Sequence, residues 1–177
     1  MSGIGFRPDE LSKVYDTERV PLGTVWDDGM GRYFQFVYID DDVDVTAGMV
    51  LVAADDTVSD HAVTPDIADQ SSIVYAGTNT NMFIHNGIAM AAADVSAGER
   101  YMWSQVTGRN IVAMLTDTNV AVGRGLVAVA DGTAGLDTLE TDADPMTNIH
   151  RVVGFAMDAD SAAELAIGDC ILTGQFV

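Results

Sequence analysis

Apolar and polar positions along this chain alternate over short distances, without a sustained helical period. From Val20 onward, brief runs rich in Val, Ile, Phe and Tyr are separated by clusters of Gly, Asp and Asn, the pattern of short strands joined by turns. The run RYFQFVYI sets Tyr33, Gln35, Val37 and Ile39 against Phe34, Phe36 and Tyr38. Both faces are largely apolar, which predicts a strand buried on both sides, between core and partner. A Gly-led entry into an apolar run occurs three times, in VTAGMVL (Val45–Leu51), VSAGERYMW from Val95, and AIGDCIL (Ala166–Leu172). The second of these continues to Met114 and reads as a strand, a Gly-containing turn and a second strand, a hairpin over 100–114. Further strands are expected in VPLGTVW, MVLVA, IVYAG, NMFIHNGIAMAA, GRGLVAVA, HRVVGFAMDA and GDCILTGQFV. DDTVSDHAVTPDIADQSS and LDTLETDADPMTN read as polar loops. The pattern predicts an all-β fold of about eight to ten strands, a small barrel or sandwich.

Residues 1–19 break this pattern. Ile4, Phe6, Leu11, Val14 and Tyr15 are scattered among charges, and Pro8 interrupts any early helix. The segment is expected to be an extended N-terminal arm with one helical turn near Pro8–Val14, ordered against a neighbour or its own body. The body is then a single barrel over 20–177.

Composition narrows the function classes. A chain of 177 residues with 48% hydrophobic content can build one packed core. No uninterrupted apolar run reaches about 18 residues, so no membrane span is expected. The start, MSGIGFRPDELSK, is unlike a secretory signal. Net charge is −19, and Lys13 is the only lysine. Direct nucleic-acid binding, which draws on Lys and Arg, is therefore not expected. Acidic, lysine-poor surfaces suit saline surroundings, where salt screens self-repulsion. The arm departs from this balance: Arg7, Lys13 and Arg19 nearly offset Asp9, Glu10, Asp16 and Glu18.

Few residues suggest site chemistry. The acidic run Asp40, Asp41, Asp42 and Asp44 is the strongest Ca²⁺ candidate, but the spaced ligand loop with a distal Glu is missing. It reads as a solvated turn, as do Asp55–Asp56 and the pair Asp142 and Asp144. His61, His85 and His150 lack metal-ligand spacing. Gly123-Arg124-Gly125 is not followed by a phosphate-loop Lys. Ser96, Ser104 and Ser161 have no nucleophile elbow around them, and nothing in the sequence brings Glu99 and Glu140 together. Cys170 lies in an apolar strand and is expected to be a buried, inert thiol. No catalytic residue, cofactor or metal is expected, and the chain reads as a non-enzyme. The aromatic positions carry more. Tyr101 and Trp103 share a strand face with Gln105, and strands apolar on both faces suggest a seam between subunits. Phe34, Phe36, Tyr38, Tyr101, Trp103 and Arg109 are the residues expected there. Arg100, Arg109, Arg124 and Arg151 suit bidentate pairing with carboxylates, at least one of them between subunits.

The order AGERYMWSQVTG, VAVGRGLVAVADGTAG, HRVVGFAMDADSAAELAIGDCIL resembles the decoration, or cement, proteins of tailed-phage heads. The aromatic strand Tyr101–Val106, the strand before an Asp-Gly turn, the strand Val152–Ala156 and the final Gly-led strand carry the resemblance. It covers residues 87–177 well and 20–55 more loosely. It implies a β-tulip-like domain, usually a homotrimer, on the outer surface of the virion capsid and made in the host cytoplasm. The partner it implies is the major capsid protein, whose adjacent subunits it would clamp. The arm of such proteins commonly reaches onto the shell. Here Phe6, Leu11 and Tyr15 would supply apolar anchors, while Arg7, Lys13 and Arg19 offset repulsion from an acidic surface. The alternatives are a head fibre, a host- or glycan-binding virion protein using Trp26 or Trp103, and a small β-barrel enzyme of the cupin kind, whose His and Glu cluster is missing.

Overall fold

The computed structural model describes residues 8–40, 43–53, 62–65, 85–115, 120–130, 134–138, 152–159 and 166–173. The fold is all-β, and no helix among the described residues reaches seven residues. A 3-10 helix, Pro8–Ser12, leads into β1 (Val14–Tyr15), β2 (Val25–Asp27), β3 (Tyr33–Ile39), β4 (Val50–Ala53), β5 (Ala62–Thr64) and β6 (His85–Ala89). Then come β7 (Tyr101–Leu115), β8 (Gly125–Ala130), β9 (Ala134–Thr138), β10 (Val152–Ala156) and β11 (Ala166–Thr173).

The hairpin expected over 100–114 does not form. Tyr101–Leu115 is one unbroken strand of 15 residues. Gly108 has a positive φ of 88°, but it marks a close approach and not a turn. A Cβ there would press on Gly31 O and Arg32 Cα of the β2–β3 turn. At the adjacent Thr107 the strand is paired on both edges, with Tyr33 of β3 and Thr173 of β11.

That long strand organises the molecule. Its N-terminal half closes a five-stranded ring, β7–β3–β5–β4–β6–β7. Its C-terminal half closes a second, β7–β11–β10–β8–β9–β7. The wiring of the two rings is the same. In each, the first strand pairs parallel with the third (β3 with β5, β7 with β9), and every other pairing is antiparallel. The backbone repeats in detail as well. Gly48 N donates to Ala89 O at 2.8 Å, and Gly123 N to Ala156 O at 2.8 Å. Ala89 N donates to Met49 O, and Ala156 N to Arg124 O, each at 2.9 Å. Matched this way, Val45, Gly48, Leu51 and Val52 of the first ring correspond to Val120, Gly123, Leu126 and Val127 of the second. Gly87, Ala89 and Met90 correspond to Gly154, Ala156 and Met157. The residue type is identical at all seven positions.

Strand alternation separates the cores. Val37, Ile39, Val45, Leu51, Val63, Ala89 and Met102 fill the first barrel, and Ala113, Leu115, Val120, Leu126, Leu136 and Ala156 fill the second. Val50, Val52 and Ile88 point out of the first barrel, yet they pack into the second barrel's cluster. The two barrels are thereby joined through an apolar contact as well as through β7.

Candidate functional site

No catalytic constellation emerges among the described residues, and no three His, Cys, Asp or Glu side chains there could hold a metal ion. Asp44 accepts the Val95 N–H at 2.9 Å, an ordinary loop tie, while Asp41 and Asp42 lie outside the described residues. Cys170 is fully buried, and burial first, then the charge of Asp169, pushes its thiol up to about 12. Such a thiol is not a nucleophile at neutral pH. The informative features are two outer faces, one on each barrel.

On the first barrel, the residues following Pro8 form a clasp over the sheet. β1 pairs with the start of β7, Val14 opposite Met102 and Tyr15 opposite Tyr101. Leu11 is buried in a cluster with Phe34, Phe36 and Trp103, onto which Tyr15, Val20, Leu22 and Trp26 pack. The rings of Phe36 and Trp103 lie 5.2 Å apart, and those of Trp26 and Phe34 5.3 Å. Polar contacts fasten the segment locally. The Tyr15 hydroxyl donates to Glu10, Lys13 Nζ meets Glu10 at 2.6 Å and Asp9 at 3.4 Å, and the Arg19 guanidinium sits 5.6 Å from the Tyr15 ring centre. Burial, then the Glu10 hydrogen bond, pushes the Tyr15 phenol up to about 12. The hydrogen bond to Glu10 likewise raises the Lys13 ammonium.

The candidate docking residues therefore divide. Phe6 and Arg7 lie outside the described residues. Leu11 faces inward and Tyr15 is half-buried in a strand pair, whereas Lys13 and Arg19 stay at the surface. The candidate seam residues divide too. Phe34, Phe36 and Trp103 are covered by their own chain and present no surface. The apolar second face that suggested a partner is met by the clasp. Tyr38 and Tyr101 remain half-exposed as a tilted pair with ring centres 5.2 Å apart. Arg109 is exposed and pairs within the chain, its Nε donating to both oxygens of Asp169 at 3.0 Å. That hydrogen bond holds the Asp169 carboxyl below the usual carboxylate range.

Among the described residues, the equivalent face of the second barrel has no clasp. Phe155, Ile171 and Arg109 lie in register across β10, β11 and β7, where the first barrel has Ile88, Gln105 and Phe34. One row along, Met157 N donates to Asp169 O, as Met90 N does to Trp103 O. Ile111 lies in the bulge opposite Asp169. Ile88 is 0% exposed and Phe155 45%. This face was not anticipated from the sequence. Its signal was there: GIAM (87–90) recurs as GFAM (154–157), which lines up Phe155 with an outward-pointing residue.

No family model, curated protein or solved structure matches the chain.

Proposed function

We propose that this chain is a virion structural protein, a decoration protein that binds the outer surface of a phage capsid as a homotrimer and clamps adjacent major capsid subunits. The observation that carries the reading is the doubly closed body. Two barrels are fused through one 15-residue strand, which is bordered by β3 and β6 in its first half and by β11 in its second, and this double closure suits a rigid clip. The segments whose residue order resembles decoration proteins, Tyr101–Val106, Gly125–Ala130, Val152–Ala156 and the strand ending at Leu172, are walls of these two rings. The looser resemblance over 20–55 runs through β3 and β4, the first two walls of the ring that repeats the same wiring. Multivalency supplies the affinity: once one subunit of the trimer is seated, the others face a high effective concentration of sites.

The clasp sharpens the docking idea. Leu11 contributes to folding, so contact with the shell falls to the exposed cations Lys13 and Arg19 and to residues before Pro8. Mixing purified protein with undecorated phage heads tests the reading. The expected result is saturable co-sedimentation and heads that survive heating better than bare ones. Protein that stays in the supernatant over a wide range of salt overturns it.

A further inference from the structure

Five of the eight large apolar side chains that the described residues expose, Ile111, Val122, Phe155, Met157 and Ile171, belong to the second barrel and its entry turn. Four of these, without Val122, lie on the single face built by β7, β10 and β11. Concentrations of exposed apolar surface mark contact sites, whereas single exposed side chains do not. We propose that this face is where copies of the chain meet, the partner being a second copy of the same chain. The inference rests on the reading of the protein as an assembly, and it moves the seam from the first barrel to the second.

Three observations select that partner. The first is internal precedent. At the matching row of the first barrel Ile88 is fully buried in the second barrel's cluster, and Gln105 is sealed by Asn110 Nδ2 and by the carbonyls of Thr107 and Arg109. An outer face of this construction is therefore already buried against a barrel of the same kind inside one chain. The second is charge. Two copies at −19 each repel wherever acids face one another, and the only acid among the six residues of this face, Asp169, is neutralised by Arg109. Contact here sets no unpaired acid of these six residues against its copy. The third is self-complementarity. Placed beside a threefold axis, a face holding this cation and anion next to Ile111, Phe155, Met157 and Ile171 can meet its own copies, with Arg109 of each subunit reaching Asp169 of the next.

The test uses the full chain, light scattering and head binding together. Wild-type protein is expected to run as a multiple of its 18.7 kDa chain mass. Phe155→Glu and Ile171→Glu, both at exposed positions, are expected to run as single folded chains, with unchanged circular dichroism and at least a tenfold weaker association. A wild-type chain that is monomeric at every concentration overturns the inference, as does a Glu variant that assembles normally. If assembly is lost and monomers still bind heads weakly, both the seam and the decoration reading stand. Loss of head binding with assembly intact, in variants of Lys13 and Arg19, concerns the docking surface alone and leaves this seam supported. Heads that never bind the assembled wild type remove the decoration reading without touching the seam.

Discussion

The two barrels have one wiring plan and opposite treatments of the same outer face. In the first, Phe34, Phe36 and Trp103 build a continuous aromatic layer, and residues 8–27 are laid over it. In the second, the matched strands carry Arg109, Ile111 and Asp169, and Phe155 and Ile171 remain at the surface. The interiors differ less, since small and β-branched residues fill both. Closing a five-stranded ring thus tolerates wide changes in outer residues, provided the inward alternation and the Gly-led entries are kept. What distinguishes the halves is which face is covered. In repeat architectures the end units are the atypical ones, because they lack a neighbour. Here one end unit has a clasp and the other exposes Phe155 and Ile171.

The sharpest test of this comparison uses a matched pair of glycines. Gly48 and Gly123 both adopt positive φ, 95° and 80°, and both make the same backbone hydrogen bond. Their surroundings differ, because a Cβ on Gly48 would strike the Val112 carbonyl of β7 while one on Gly123 would meet nothing within 4 Å. Gly123→Ala should cost about 1 kcal/mol, the left-handed strain alone. Gly48→Ala should cost about 3 kcal/mol, because the inter-barrel contact must also open. Urea midpoints decide it. Equal losses at the two positions would mean that the barrels are not packed as described.

The next effect separates clasped from open apolar surface. Leu11→Ala should destabilise the chain by about 2 kcal/mol, since it removes the centre of a buried cluster near the edge of the fold. Phe155→Ala, measured dilute enough for single chains, should change stability by no more than about 0.5 kcal/mol. A silent Leu11→Ala would show that the clasp is not held by its apolar contacts.

Much of this was legible in the sequence, and the misses share a cause. The double burial of β3 followed from alternation in RYFQFVYI, β8 and β11 from short apolar runs after Gly, and β10 from the apolar run in HRVVGFAMDA. β5 and β9 were hidden, falling in or across segments that read as polar loop. They are the matching strands of the two rings, each joined in parallel to the ring's first strand, and only three and five residues long. Their place is fixed by long-range pairing, Ile39 with Val63 and Leu115 with Leu136, and local composition does not report that. The supposed turn at Gly108 failed for a related reason, because glycine marks close backbone approach as well as reversal. The open face needed the repeat to be noticed first. Burial of Phe34, Phe36 and Trp103 by their own chain depended on the clasp, whose apolar residues have no period to announce a strand.

The smallest effect concerns alkali, and it acts on one barrel only. Both tryptophans, and the described tyrosines Tyr15, Tyr33, Tyr38 and Tyr101, belong to the first barrel and its clasp, so indole emission reports on the clasped half. Tyr15 has its phenol raised from 10.0 to about 12, by burial first and then by the hydroxyl's bond to Glu10. A raised phenol favours the neutral, folded form. Its contribution is fully present below pH 10, the value of the unfolded chain, and is lost as pH rises through about 12. The clasp should therefore loosen between those limits. Tryptophan emission should shift to the red as Trp103 loses cover, and one phenolate should appear late in the ultraviolet titration. Tyr15→Phe should abolish the late phenolate and flatten the emission change, with no loss of stability at neutral pH beyond that of one partly exposed hydrogen bond. If indole emission moves identically in Tyr15→Phe, the alkaline change originates elsewhere, and the hydroxyl contact with Glu10 does not hold the clasp.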